Sequence, residues 1–589
     1  MDDEKRTAPI NRHYIKRLLK YLMKYRKNVI LTILCMFISS GCAMLSPFLL
    51  QQIIDTYIPA KDIKGLLFIS SILLLSVLMA FVFNRIKIKL AGRTGQMAIR
   101  DIREDLFNHV EELSFKYYDN TSAGRIIVRI VNDVNQLSNL FTNSLINVIT
   151  EFTMLILAVV IMFSLNYKLS MLTFAIIPAF MVVIFLIRNK VIASWREVSI
   201  KVASLNAYIH ESISGMQVVQ AYVRQRTNRA IFKNVIKDAF DSWIKAIKIN
   251  GVFGPAVYVI SIIGTLSIYW FGSKMLQMET ITIGVLVAFT SYLGRFMQPV
   301  MVLSNVYNEL LVAMSSCERI FEMMDYEVDI KDGEGATDLK DAKGDVEFKN
   351  VTFAYNKEKT VLKNVSFTIP KGSTVAIVGP TGSGKTTIIN LLARFYDPVN
   401  GNIYVNGEDI LKVTVRSLRD NIGIMLQDPF IFSGTVLENL RYGNPEAPIE
   451  KVHEAAGMIG VHDFIMEMEN QYDTILNERG SRLSIGQKQL IAFTRVILSD
   501  PQLLILDEAT SSVDTHTEKM LQDAILTVLK DRTSFVIAHR LSTIRNADII
   551  MVIENGELAE MGSHDELIEK KGIYHGLYQA QYMFLKETA

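Results

Sequence analysis

The first half of the chain contains apolar stretches too long for an ordinary soluble core. Residues 28–54 run 27 positions without a charge, residues 65–84 run 20, residues 169–187 run 19 and residues 249–273 run 25. At 1.5 Å of rise per residue, each is long enough as a helix to cross about 30 Å of hydrocarbon. Two more apolar stretches each carry a single charge, Glu151 within residues 134–167 and Arg295 within residues 280–308. Six transmembrane helices are therefore expected, at about 28–54, 65–84, 136–165, 169–187, 249–273 and 280–308. Charged residues make up 21% of the chain and mean hydropathy is +0.24, which argues for membrane and against disorder.

Orientation follows from the basic residues. With the N-terminus inside, the segments 1–27, 85–133 and 188–248 hold nine, nine and eleven Lys/Arg, against Lys61, Lys64, Lys168 and Lys274 outside. That bias places both termini in the cytoplasm and the chain in the cytoplasmic membrane. Residues 11–27 read as a basic amphipathic helix along the inner leaflet, in contact with membrane lipid. The first 27 residues hold nine Lys/Arg and no short apolar core ending in a cleavage site, so no signal peptide is expected there. The chain holds 62 basic and 60 acidic residues, net +2, so no nucleic-acid partner is expected. Cys35, Cys42 and Cys317 have no disulfide or metal-ligand spacing and read as packed thiols.

The inner segments are long, polar and compatible with helix, and two helices of some twenty residues would carry each about 30 Å beyond the membrane. Long unstructured loops are the alternative. The membrane domain is expected over residues 1–320, and an acidic, Gly-containing linker over 321–344. Residues 345–589 change character. VEFKNVTFAY, TVAIVG, IGIML, LLILDEA, SFVIAHR and IIMVIENG alternate with helical stretches, the pattern of a mostly parallel sheet covered by helices. The fold class is thus a helical membrane bundle fused to a soluble α/β domain.

Phosphate chemistry sits in that second domain. Gly379, Pro380, Thr381, Gly382, Ser383, Gly384, Lys385 and Thr386 fit the pattern G-x-x-x-x-G-K-[ST]. The pattern follows an apolar strand, and a helix is expected to start at Thr387. Such a loop wraps phosphates in backbone N–H groups at a helix N-terminus. Lys385 is expected to bridge the β- and γ-phosphates of ATP, and the Thr386 hydroxyl to ligate Mg²⁺. A second apolar strand ends in Asp507 and Glu508: the first is placed to hold Mg²⁺, the second to polarise an attacking water. A capped strand end is the bland alternative for that pair.

On these residues the chain resembles an ATP-binding-cassette exporter half, with six transmembrane helices and one nucleotide-binding domain. The resemblance implies that Tyr355 stacks on adenine and that Gln427 contacts Mg²⁺ beside the docking site of the membrane helices. It implies that Glu478-Arg479-Gly480 senses those helices. It makes Leu483-Ser484-Ile485-Gly486-Gln487 the signature, Ser511-Ser512-Val513-Asp514 the D-loop, and His539 the switch histidine near the γ-phosphate. The inner loops resemble the family's less closely, at Tyr117-Tyr118-Asp119, Gly124 and Asn132-Asp133 in the first and at Asn206, Glu211 and Gly215 in the second.

One residue departs from the pattern. The family's signature reads Leu-Ser-Gly-Gly-Gln, and here the third position is Ile485. In the family, Ser484, Gly486 and Gln487 would meet a nucleotide held by the partner's phosphate loop. A β-branched residue is expected to crowd that approach and restrict the backbone. Lys385, Asp507, Glu508 and His539 are intact. A complete catalytic half-site beside an impaired signature resembles the heterodimeric exporters, so a second half with a normal signature and an altered catalytic Glu is expected; a homodimer is the alternative. The cargo is expected to be amphipathic: drugs, lipids or, less readily, peptides. Met154, Met162, Met171, Met181, Met297, Met301, Tyr258 and Tyr269 suit an adaptable cavity, and equally suit plain helix packing. A regulatory subunit that binds ATP without hydrolysing it is disfavoured by the presence of Glu508.

Overall fold

The computed structural model describes residues 12–588 apart from 176, 341, 357–358, 508–514 and 539–540. The chain divides into two compact units, residues 1–110 with 124–325, and residues 111–123 with 326–589.

The first unit is helical. Arg12–Met23 is a short amphipathic helix with Leu18 buried on one face. Its Arg17 donates to Asp325 at 2.5 Å and its Tyr21 to Asp105 at 2.7 Å, so it is tied to the bundle by polar contacts. Among the described residues, Arg26–Tyr57, Ile63–Glu112, Ala123–Leu165 and Gln225–Gln277 are long and apolar enough to cross a membrane. Ile283–Met324 adds a further helix of 42 residues. The apolar spans run on into long polar helices, as the hairpin expectation requires and the loop alternative does not. Ile63–Glu112 alone has 50 residues, about 75 Å of helix. Ile177–Ser214 packs along Gln225–Asn250 through Trp195 on Trp243 at 5.2 Å and ion pairs Lys201–Asp238 and Lys245–Glu197 at 2.9 and 2.7 Å. Leu67, Phe81, Tyr258 and Leu266 are 61–68% exposed, the surface of a helix bundle whose solvent is lipid.

Two polar contacts explain singled-out residues. Pro47 lies inside helix Arg26–Gln52 and lacks the N–H that would bond the Ala43 carbonyl. Arg295 Nη1 donates to that carbonyl at 2.6 Å, and Tyr292 donates to the neighbouring Met44 carbonyl at 2.7 Å. The intramembrane arginine therefore satisfies a backbone group freed by a proline. Asp133, 5% exposed, accepts from Ser316 at 2.8 Å and from Arg319 Nε at 2.9 Å and Nη2 at 2.5 Å. That charge-assisted cluster joins the first inner loop to the end of the last long helix. Cys35 and Cys317 are buried free thiols, and Cys42 is half-buried and free.

The second unit carries a six-stranded sheet in the spatial order Glu557–Gly562, Ile549–Glu554, Thr374–Val378, Thr533–Ile537, Leu503–Asp507, Ile422–Met425. All neighbours are parallel except the first pair. The inner strands are buried on both faces, as helices on each side demand, so they read as unbroken apolar runs. Beside this sheet lies a four-stranded antiparallel one: Leu362–Ile369, Val346–Phe353, Asn400–Val405 and Glu408–Asp409. The sequence reading did not separate it. After Met324, the segment towards the cassette is held on it by a Thr337–Val413 bridge and by the Leu339 amide donating to Ser417 at 2.9 Å.

Candidate nucleotide site

The strand Thr374–Val378 lies between two parallel neighbours, so its C-terminal end opens at the middle of the sheet. The chain there turns through Gly379, Gly382 and Gly384 with φ of +148°, +81° and +112°. A Cβ on Gly379 would lie 2.2 Å from the Ile553 carbonyl oxygen, so that position admits no side chain, and at Gly384 the positive φ itself disfavours one. The helix begins at Lys385 and ends at Leu392, two residues earlier than expected at its start. Its N-terminal N–H groups have no helical partners and point into the loop.

Lys385 folds back over the loop, donating to the carbonyls of Gly379 at 2.8 Å and Pro380 at 3.0 Å. Burial holds its pKa below the ordinary lysine value, and the Asp507 carboxylate works in the opposite direction. Ser383 Oγ is buried without a hydrogen-bond partner among the described residues. A buried orphan hydroxyl, a half-buried ammonium and free helix-end amides together fit a polyphosphate.

Asp507 ends the strand Leu503–Asp507, beside Ile537 of the next strand. Gln427 lies two residues past Met425, which is in register with Leu506, so Gln427 and Asp507 leave the sheet at the same end. With the exposed Thr386 hydroxyl these are oxygen donors of the kind a hard divalent cation takes, which fits Mg²⁺. Glu508, His539 and the D-loop with Asp514 lie outside the described residues.

Tyr355 is 36% exposed, and its hydroxyl lies 3.2 Å from Thr387 Oγ1 and accepts from Asn390 at 3.3 Å. Its ring stands nearly perpendicular to those of Phe353 and Tyr396, at 4.8 and 5.0 Å. One face is thus supported and the residue is fixed to the phosphate-loop helix. Tyr396 donates its hydroxyl to Asp119, and Phe115 packs on Phe395 at 4.4 Å. The sequence reading named Asp119 only by resemblance and did not single out Tyr396. Their 277-residue separation leaves no local signal.

Ser484 caps the helix Ile485–Ser499: its hydroxyl accepts from the Gln487 amide at 3.2 Å and the Gln487 side chain accepts from the Ser484 amide at 2.9 Å. This reciprocal box leaves the Ser484 O–H proton to donate outward. Gly486 is buried and Ile485 is 49% exposed. Ile485 occupies the first helical position, which any L-residue adopts, so the expected backbone restriction is absent. What remains of the departure is a bulky, exposed side chain at the helix end. Just upstream, Arg479 takes φ +55° in Glu478–Gly480.

Residues 29–300 match the ABC transporter transmembrane region and residues 362–511 the ABC transporter domain. The uncharacterized ABC transporter ATP-binding protein YknV of Bacillus subtilis (strain 168) is 42% identical over 582 residues, 98% of this chain and 96% of its own. The chain belongs to the ABC transporter family. A Staphylococcus aureus (strain NCTC 8325 / PS 47) protein, named for multidrug export as an ATP-binding/permease protein, is 36% identical over 575 residues, 96% of this chain and 100% of its own. The structure of a bacterial Atm1-family ABC exporter with ATP bound matches with a TM-score of 0.79 at 28% identity, covering 94% of this chain and 98% of that one. This ABC exporter is accordingly a membrane protein whose nucleotide-binding domain couples ATP hydrolysis to export, in an assembly of two halves.

Proposed function

We propose that this chain is one half of a heterodimeric exporter of amphipathic drugs or lipids in the cytoplasmic membrane, with both termini inside. It supplies the hydrolytic half-site, and its partner supplies the signature that completes it. The observation that carries this reading is Ile485, 49% exposed at the N-terminus of the signature helix between the Ser484 cap and buried Gly486. A nucleotide on the partner's phosphate loop would meet that side chain instead of open space over helix-end amides. The site formed with this chain's own phosphate loop has no such obstruction. Lys385 holds the β- and γ-phosphates, Glu508 orients water for attack on the γ-phosphorus, and His539 stabilises the charge that develops as the bond to the leaving ADP breaks. Thr386, Gln427 and Asp507 would hold Mg²⁺, which would supply neutralisation of the phosphate charge. Closure of two cassettes on two ATP molecules draws the long inner helices together and turns the cavity outward; hydrolysis resets it. The orientation rests on the basic residues of the inner segments.

Drug export has support from the relative named for multidrug export and from the Met-rich spans. Inside-out membrane vesicles containing the transporter are expected to accumulate ethidium, a cationic amphiphile, or a fluorescent phospholipid in an ATP-dependent manner. Failure to move either probe, with ATP hydrolysis intact, contradicts the amphipathic cargo.

A further inference from the structure

We propose that Tyr396 relays occupancy of the adenine position to the first inner loop, receiving it from Tyr355 and passing it to Asp119. The proposal rests on the reading of Tyr355 as the adenine-stacking residue and names what that residue is connected to.

Tyr355 cannot swing independently. Its hydroxyl is engaged by Thr387 and Asn390, both on the helix Lys385–Leu392 that carries the phosphate loop. Its remaining freedom is rotation of the half-exposed ring. That ring meets Tyr396 at 5.0 Å and 90°, with Phe353 closing the triangle at 4.8 and 5.6 Å. Perpendicular ring contacts depend on angle as well as distance, so movement of one ring is felt by the next. A base laid on the exposed face of Tyr355 removes that rotation.

Tyr396 is 8% exposed, and its one side-chain polar group donates to the Asp119 carboxylate. Burial, then that carboxylate, hold the phenol above its ordinary pKa, so it stays a donor throughout the physiological range. Asp119 belongs to the helix Phe115–Asn120, within the segment Glu111–Ala123 that packs with the cassette. The helix's ring contacts, Phe115 on Phe395 at 4.4 Å and Tyr117 on Tyr326 at 4.8 Å, are apolar and tolerate sliding. A hydrogen bond to a charged acceptor is directional and does not. Lys116 and Ser114 also reach the Asp329 carboxylate, each at 3.4 Å, but those ties run to the segment after Met324. The Tyr396–Asp119 bond is the directional tie between this helix and the aromatic cluster, so it passes the cluster's position to the helix. Coupling of this kind is reciprocal: a held loop must also favour bound nucleotide by the same factor.

The test uses the full transporter, purified with whatever second half accompanies it and placed in lipid nanodiscs. Amide hydrogen exchange across residues 115–120 is followed with and without ATP, beside ATP affinity. In the parent, ATP is expected to slow that exchange by about fivefold or more. Tyr396→Phe keeps the ring and loses only the donor, so it is expected to bind ATP within about fivefold of the parent and to lose most of the slowing. Asp119→Ala, at an exposed position, removes the acceptor and is expected to do the same if the buried substitution disturbs folding. Equal slowing in parent and variants overturns the relay. Tyr355→Ala separates the two readings: unchanged ATP affinity there ends the adenine assignment and, with it, the relay's input.

Discussion

Replacing Lys385 with alanine is expected to lower ATP hydrolysis by about 10²–10³-fold and to weaken ATP binding by about tenfold or more. The ammonium sits half-buried over the phosphate loop, bonded to the Gly379 and Pro380 carbonyls, and burial already penalises its charged form. A polyphosphate gives that charge anionic oxygens in direct contact, beyond the favourable field of the Asp507 carboxylate. A hydrogen bond between charged groups out of water is stronger than a neutral one, and it strengthens as negative charge grows on the transferring phosphoryl group. Lys385→Arg keeps the charge but brings a planar fork to a loop closed around a point donor, so it is expected to recover only part of the loss. Phosphate release and titration with a fluorescent ATP analogue read both effects. Hydrolysis by Lys385→Ala within tenfold of the parent contradicts the assignment.

Glu508→Gln carries the second large effect. It preserves shape and removes the charge proposed to polarise water, so turnover is expected to fall by about 10²–10⁴-fold with ATP affinity held within a few-fold. With the proposed partner lacking a competent carboxylate at the matching position, this single substitution is expected to cut hydrolysis by the whole assembly to the same extent. Radiolabelled ATP should then remain bound as ATP through purification. Recovery of labelled ADP at near-parent rates means that another site or another base does the work.

The nucleotide site was readable where chemistry and sequence proximity coincide. The phosphate loop is one uninterrupted octapeptide; its three glycines all take positive φ, and at Gly379 the Ile553 carbonyl also leaves no room for a side chain. Asp507 drew attention because an apolar strand ends there in a carboxylate, a pattern that taken alone equally fits a capped strand end; the phosphate loop tipped the reading. Ile485 was readable as a departure, but its consequence was not. Whether a β-branched residue strains the backbone depends on where the helix starts, and Ser484 sets that start one residue earlier by capping. The helical membrane domain was legible from apolar length, whereas the reason for Arg295 was not. Its partner carbonyl is 252 residues away and is free only because Pro47 withholds a donor. The same limit hid Tyr396 and Asp119, whose meaning lies in a contact between an inner loop and an aromatic cluster rather than in either stretch alone.

The central claim is the division of labour between two unlike halves, and it is tested most directly by what accompanies the chain. Purified gently from its native membrane through a tag and analysed by mass spectrometry, it is expected to bring a stoichiometric second ABC half. That half should have an unobstructed Leu-Ser-Gly-Gly-Gln signature and a replaced residue at the position matching Glu508. Recovery of the chain with only copies of itself, in an assembly that hydrolyses ATP, would mean two equivalent sites that both accommodate Ile485, and would contradict the asymmetric mechanism.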